Sequence, residues 1–330
     1  MARYARTQSI AHPIGPHGRV ILKVTSADVR VRPAEGDAAS IRAAYTISAR
    51  SDEDADAVFE RAKLEASLGT GELRLEEPMA GDSLTGIIGR ALSARGGFDL
   101  EVEIDLPASA ELRVETISGE ITAEGMRGEQ RYATTSGDIY LNHGGGPLRV
   151  NTVSGDIVIR AERPLSARIQ AVSGDLVLSA PRVEALRVQT VSGDVEVEGE
   201  LGHSGEHRVE TVSGDFGLGL AGGASIEVRG ISTDISSDLD HRIEGRHDRR
   251  RLVIGSGEPA VVFSSMSGDL SVRRPRRTTP ALPPEPTEPA RPGAAAPDDA
   301  EQLAVLEALA RGEIDVDEAT RRLAGGPADA

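Results

Sequence analysis

Apolar and polar residues alternate along short stretches of the chain, and the same triplet interrupts each stretch. In LRVNTVSGDIVI, residues 148–159, alternate positions are apolar both before and after Ser-Gly-Asp. Such alternation predicts a strand with one buried face. The apolar phase slips by one residue across the triplet, so a straight strand would turn its second half outward. A bend at Gly155 restores the phase, because glycine adopts positive φ without a steric penalty.

The triplet recurs at short and regular intervals. Its serine, followed by Gly-Asp or Gly-Glu, falls at 118, 136, 154, 173, 192, 213 and 267, and the first six are 18 to 21 residues apart. A degenerate Ser-Thr-Asp copy begins at Ser232. Strands at this spacing, with no helical run between them, predict an all-β fold, a single parallel β-solenoid of 18–21-residue coils. We expect structural corners at Gly119, Gly137, Gly155, Gly174, Gly193, Gly214 and Gly268.

The rest of the chain divides by composition and pattern. The predicted segments are a flexible N-terminus (1–17), a cap with lead-in strands and a short helix (18–106), the solenoid (107–274), a Pro-rich linker (275–297) and a small α-helical hairpin (298–330). A hairpin this small buries too little apolar surface to be stable alone. We therefore expect it to dock on a partner or a second copy, through Leu303, Leu306, Leu309, Ile314 and Leu323.

Composition narrows the functional classes. The 330 residues include no Cys, no Trp, four Phe and four Tyr, so the core must come from Val, Ile, Leu and Ala. A net charge of −16 argues against general nucleic-acid binding. The N-terminus lacks the apolar stretch of a signal peptide, and no 18-residue apolar run occurs. We expect a cytoplasmic protein, or one peripheral at the inner face of the membrane.

Motifs for catalysis are missing from the sequence. It contains no Gly-x-Ser-x-Gly, no P-loop and no His-Glu-x-x-His, and its histidines show no metal-ligand spacing. We therefore expect no enzyme activity, no catalytic residue, no cofactor and no metal.

The acidic residue of the triplet forms a column that has two interpretations. The first is a structural corner in which the carboxylate accepts local amide hydrogen bonds. The second is a chain of Ca²⁺ sites, although one acid per coil supplies few of the six to eight oxygens that Ca²⁺ takes. The column comprises Glu120, Asp138, Asp156, Asp175, Asp194, Asp215 and Asp269.

A second column is basic and lies five residues before each serine. It alternates with the inward positions, so we expect it to point outward on one strand face. One interpretation is a solvated face with salt bridges to neighbouring acids. The other is a docking strip for an anionic polymer, a lipid headgroup or an acidic segment of a protein partner. The column comprises Arg113, Arg131, Arg149, Arg168, Arg187 and Arg208.

The repeated Thr-Val-Ser-Gly-Asp corners, with the lead-in before them, resemble a bacterial "putative adhesin" β-solenoid family of unknown function across residues 18–274. The tail LAVLEALARGEIDVDEATRRL is similar to the short SHOCT-like helical hairpins of envelope-associated proteins. The resemblance implies a setting near the cell envelope or its stress response, and no established catalytic residue.

Three functions remain open from the sequence. We expect a non-enzymatic scaffold that binds a protein partner or itself through the solenoid face and the hairpin. The alternative is a filament-forming structural β-solenoid, and a lesser alternative is a polysaccharide-active β-helix enzyme.

Overall fold

The computed structural model describes residues 2–78, 98–246 and 249–275. These ranges contain twenty-two strands and one helix. The prediction that the fold is mostly β is therefore confirmed for the described residues. No helix within them is long and apolar enough to cross a membrane. The Pro-rich linker and the helical hairpin, with its docking face, lie outside the described residues.

Eight elements make up the lead-in. They are β1 (Ala2–Pro13), β2 (Arg19–Lys23), β3 (Asp28–Ala34), β4 (Ala38–Ala49), α1 (Asp52–Ala62), β5 (Glu65–Gly69), β6 (Glu72–Glu76) and β7 (Phe98–Pro107). The predicted short helix is α1, and Ser51 caps its start, because the Ser51 hydroxyl accepts a hydrogen bond from the Asp54 N–H at 3.1 Å.

Residues 2–13, expected to be part of a flexible N-terminus, instead form β1. This strand pairs antiparallel with β4 along its whole length, from Ala2 opposite Ala49 to Pro13 opposite Ala38. Its side chains are only exposed or half-buried. The strand is held by its backbone pairing and by polar side chains, such as Arg6, which contacts Asp52 and Asp56. Such polar contacts are not visible in a pattern of apolar residues.

The central coils each contain a strand before the corner and a strand after it. The strands are β8 (Glu111–Glu115), β9 (Ile121–Glu124), β10 (Gln130–Ser136), β11 (Ile139–Ser154), β12 (Ile157–Gln170), β13 (Leu176–Gln189), β14 (Val195–Leu201), β15 (His207–Glu210) and β16 (Phe216–Leu220). Each of β11, β12 and β13 runs from the second strand of one coil into the first strand of the next. The alternating apolar residues point inward, and Leu148, Val150 and Ile157 are at most 3% exposed.

The lead-in itself contains a coil of the stack. Strand β2 pairs in parallel with β8, and β3 pairs in parallel with β9. Ser26 lies opposite Ser118, so Ser26-Ala27-Asp28 acts as a corner without its glycine. The repeat therefore begins before residue 107, the boundary expected from the sequence.

The last coils do not stack in the order of the sequence. Their strands are β17 (Ala224–Ser232), β18 (Ile235–Ser237), β19 (His241–Arg246), β20 (Arg249–Ile254), β21 (Ala260–Ser267) and β22 (Leu270–Arg273). Strand β21 pairs in parallel with both β15 and β17, and β22 pairs in parallel with both β16 and β18. The coil of Ser267 thus lies between the coil of Ser213 and the degenerate coil of Ser232.

The sheet is mixed, which corrects the expectation of a purely parallel solenoid. The central coils pair in parallel. In the lead-in, β4 pairs antiparallel with both β1 and β7, and β5 pairs antiparallel with β6. The β20 strand pairs antiparallel with both β17 and β19. A parallel pair requires a long connection, while an antiparallel hairpin adds a strand through a short turn. Hairpins therefore flank the parallel coils, where a further coil would otherwise be needed.

Candidate functional site

The six arginines of the predicted column lie in register on adjacent parallel strands. The direct pairs are Arg113 with Arg131, Arg131 with Arg149, Arg149 with Arg168, Arg168 with Arg187, and Arg187 with Arg208. Adjacent strands lie about 4.8 Å apart. All six side chains are exposed or half-buried, while their neighbours in the strands are buried. The fold therefore brings the whole column onto one outward surface.

The outer arginines of the column are neutralised by glutamates two residues away. Arg113 Nε donates to Glu115 Oε1 at 2.6 Å, and Arg208 Nε donates to Glu210 Oε1 at 2.7 Å. These contacts match the first interpretation of the column, a solvated face with salt bridges.

Arg131 is neutralised in the same way by a glutamate that precedes it. Its guanidinium donates to Glu129 Oε1 at 2.7 Å, and this hydrogen bond lowers the pKa of the Glu129 carboxyl. The pKa of Glu210 is also lowered, first by a hydrogen bond from the Gln189 amide and then by Arg208. Both glutamates are therefore held as anions beside the middle of the column.

The three central arginines, Arg149, Arg168 and Arg187, have no such partner. Within the described ranges, no carboxylate oxygen lies within 4.0 Å of their guanidinium nitrogens. Arg149 acts on Glu129, and Arg187 on Glu210, only as longer-range charges. We call these three residues the arginine patch.

The neighbours of the arginine patch explain why it is unpaired. Two residues before each arginine, where the outer coils carry Glu, stand Pro147, Ser166 and Ala185. Two residues after each arginine stand the neutral Asn151, Gln170 and Gln189. In water, two unit charges at the strand spacing repel by about 0.9 kcal/mol. The patch therefore keeps a mutual repulsion that the outer coils remove with glutamates.

A shallow depression of about 340 Å³ lies beside the arginine patch. Its lining includes the small residues that replace glutamate, and Glu129 and Glu206 border it on the flanking coils. It is lined by Glu129, Pro147, Leu148, Arg149, Ser166, Ala167, Arg168, Ala185, Leu186, Arg187 and Glu206. The arrangement offers room for an anion next to three unneutralised guanidinium groups.

Two further columns share the outward face. Gln170 Nε2 donates to Gln189 Oε1 at 3.0 Å, and Gln189 Nε2 donates to Glu210 Oε2 at 2.8 Å. Beyond this row of amides, a valine precedes the serine in four successive coils and stays 45–48% exposed. This apolar row comprises Val153, Val172, Val191 and Val212. Sequence reasoning missed it, although the repeated Val before Ser-Gly-Asp was its signal.

The acidic column forms a hydrogen-bonded ladder along the corners. The Asp175 N–H donates to Asp156 Oδ1 at 2.9 Å, and the Asp194 N–H donates to Asp175 Oδ1 at 2.9 Å. The same contact joins Asp156 to Asp138 and Asp215 to Asp194. The carboxylates of Asp138, Asp156, Asp175 and Asp194 thus each accept an amide hydrogen bond of the next coil, which supports the structural interpretation. No cluster of three or more His, Asp or Glu side chains placed to share a metal ion occurs in the described part of the chain.

The corner glycines bend as predicted, with one exception. Six of the seven have positive φ, for example 128° at Gly155, whereas Gly268 does not. A second constraint was not visible in the sequence. A Cβ on Gly155 would lie 2.3 Å from the carbonyl oxygen of Gly137, and one on Gly268 would lie 2.1 Å from that of Gly214. At the glycine corners, the neighbouring coil lies too close for a side chain.

Comparison with known proteins assigns the family. A profile described as Toastrack DUF4097 matches residues 19–273. The chain belongs to the Toastrack DUF4097 family. This confirms, for the family, the resemblance predicted from the repeated corners. No curated protein is significantly similar to the chain.

Several solved structures are similar to this Toastrack chain at low identity. A "putative lipid binding protein" from Parabacteroides distasonis ATCC 8503 is 15% identical, with a TM-score of 0.40 over 81% of this chain and 96% of that one. A "putative adhesin" from Bacteroides fragilis NCTC 9343 is 10% identical, with a TM-score of 0.30 over 81% and 97%. A "putative cell adhesion protein" from Clostridium sporogenes ATCC 15579 is 11% identical, with a TM-score of 0.23 over 82% and 100%.

Proposed function

We propose that this Toastrack protein is a non-enzymatic interaction protein that binds an anionic partner through the arginine patch. The observation that carries the proposal is the absence of any carboxylate within ion-pair distance of Arg149, Arg168 and Arg187, in the described residues, while the outer arginines are all paired. A planar guanidinium donates two parallel hydrogen bonds to a carboxylate or phosphate. Three such groups in register form a ready surface for anions.

The charge of the whole chain makes this patch selective. A net charge of −16 repels anions from most of the surface. An anionic partner is therefore attracted only where the local charge is positive. We propose that the solenoid presents this face to its partner and that its repeated coils act as a rigid scaffold behind it.

The experiment compares two triple variants with the same change in net charge. The first replaces Arg149, Arg168 and Arg187 by Gln. The control replaces Arg30, Arg32 and Arg42, which are exposed on strands β3 and β4, away from the column. Binding to vesicles containing phosphatidylglycerol, to tripolyphosphate and to a polyglutamate peptide is measured at low and high salt.

We expect the patch variant to lose salt-sensitive binding and the control to keep it, because screening weakens exposed charge pairs. Folding is checked by the unfolding midpoint of each variant, since all six residues point outward. Binding that survives in the patch variant, or wild-type protein that binds none of the three anions, overturns the proposal.

A second function, end-to-end association, is favoured by one observation. Strands β5 and β19 each pair with a single described strand. Each also carries an exposed large apolar residue, Leu68 at 59% and Ile243 at 48%. Edge strands with exposed apolar residues are sites of strand addition. Sedimentation of wild-type protein and of a Leu68→Lys variant tests this function: concentration-dependent polymers that the variant abolishes support it, and a concentration-independent monomer contradicts it.

A further inference from the structure

The arginine patch is limited on both sides by acidic coils. On the side of Arg131, Glu129 borders the depression, and on the side of Arg208, Glu206 borders it. The next arginine in each direction is already paired with a glutamate. Positive charge is therefore confined to three adjacent strands, which span about 10 Å between the outer two.

Adjacent arginines in this patch are spaced to share one ligand group. A phosphoryl group has three terminal oxygens and carries up to two negative charges. It can accept hydrogen bonds from two guanidinium groups at once, whereas one guanidinium fork already occupies both oxygens of a carboxylate.

We infer, on the basis of the function proposed above, that the arginine patch binds a compact ligand with two or three phosphoryl groups rather than a continuous polyanion. A long polyanion that followed the column would pass from three unpaired arginines onto coils where Glu129 and Glu210 already neutralise the arginine and where Glu206 repels it. A compact ligand stays between Glu129 and Glu206, beside the uncharged Pro147, Ser166 and Ala185. Glu129 and Glu206, which we call the acidic border, thus limit the length of the ligand.

The test measures affinity against chain length. Orthophosphate, tripolyphosphate and long-chain polyphosphate are titrated into the wild-type protein by calorimetry. We expect tripolyphosphate to bind at least tenfold more tightly than orthophosphate, because it reaches more than one pair of arginines. We expect long-chain polyphosphate to bind no more tightly than tripolyphosphate, once its affinity is corrected for the number of equivalent segments in the chain.

A double variant, Glu129→Gln with Glu206→Gln, tests the acidic border directly. Removing one unit charge at about 7 Å in water changes affinity by about threefold. The Glu129 change also releases Arg131. We expect the variant to bind long-chain polyphosphate about tenfold more tightly than wild-type protein, with a smaller change for tripolyphosphate.

Different outcomes of these titrations contradict different parts of the argument. Wild-type affinity that keeps rising with chain length, or a double variant without effect on the long chain, overturns the compact-ligand inference and leaves the proposed anion binding intact. Polyglutamate that binds as tightly as tripolyphosphate overturns the preference for phosphoryl groups. If the wild-type protein binds none of these anions, both the proposed anion binding and the compact-ligand inference are overturned.

Two sources can supply such phosphoryl groups, and competition distinguishes them. Vesicles containing phosphatidic acid are bound in the presence and absence of tripolyphosphate. Vesicle binding that tripolyphosphate displaces assigns the site to a lipid headgroup, and tripolyphosphate binding without vesicle binding assigns it to a soluble phosphate. Vesicle binding that persists in the triple variant of Arg149, Arg168 and Arg187 contradicts the inference.

Discussion

The N–H of Asp269 donates to Asp215 Oδ1 at 2.8 Å, across 54 residues of chain. The N–H of Asp234 donates in turn to Asp269 Oδ1 at 2.8 Å. The coil of Asp269 is the last described coil in the sequence, yet it lies between two coils that precede it. The stack is therefore incomplete at this end until strands β21 and β22 are in place.

The inserted coil predicts a large effect of Phe263. Its ring is fully buried and lies 5.4 Å from the ring of Phe216 on the neighbouring coil. We expect Phe263→Ala to lower the free energy of unfolding by about 3–5 kcal/mol, because it leaves a cavity between two coils. Urea denaturation measures the change. The control is Val262→Ala on the outward face of the same strand, for which we expect less than about 1 kcal/mol. Equal losses for the two variants contradict the inserted packing.

The sequence predicts the coils but not their order. The pattern around each triplet shows which residues point inward, and the buried Leu148 and Val150 follow it. Alternate positions are apolar before both Ser232 and Ser267, so this alternation does not show which of the two coils stacks on the coil of Ser213. The choice depends on contacts between coils, such as the Phe216–Phe263 ring pair, and these are set only in the folded chain.

The site is more readable than the stacking order. The outward direction of the arginine column follows from strand alternation. Its division into paired and unpaired members also lies in the sequence, because the deciding residues are two positions away on the same face. Glu129 accompanies Arg131, whereas Pro147 accompanies Arg149. The depression was not predictable, because it depends on small residues from three different coils meeting side by side.

The aspartate ladder predicts a difference between two substitutions of Asp194. Its carboxylate accepts the Asp215 N–H at 2.8 Å. We expect Asp194→Ala to lower the free energy of unfolding by about 1 kcal/mol, since one exposed hydrogen bond is lost. Asp194→Asn keeps an acceptor oxygen and should cost clearly less. Urea denaturation of both variants measures the difference, and an Asn variant as unstable as the Ala variant contradicts the ladder as the cause.

Substitutions of three glycines distinguish the cost of a positive φ from the cost of a close contact with the neighbouring coil. Gly36 has φ of 96° with no atom within 4 Å of the place where a Cβ would lie, Gly268 has only the close contact, and Gly155 has both. We expect Gly36→Ala to cost about 1 kcal/mol through its backbone conformation. Gly268→Ala should cost more, about 2–3 kcal/mol, because a carbonyl oxygen must move. Gly155→Ala should be the most unstable by urea denaturation. Any other order contradicts close stacking as the larger constraint.

His207 predicts an acid-sensitive stability. Its ring is buried, its Nε2–H donates to the Gly202 carbonyl oxygen at 2.8 Å, and burial lowers its pKa below 6.5. The unfolded chain therefore binds the proton first, so stability is full above about pH 6.5 and falls as pH decreases toward the lowered folded pKa. Gln130 occupies the same inward position of an earlier coil. We expect His207→Gln to keep a donor and to flatten this dependence in urea titrations between about pH 7.5 and 5.5. If the wild-type protein and the His207→Gln variant lose the same stability as pH decreases, His207 is not the cause of the acid sensitivity.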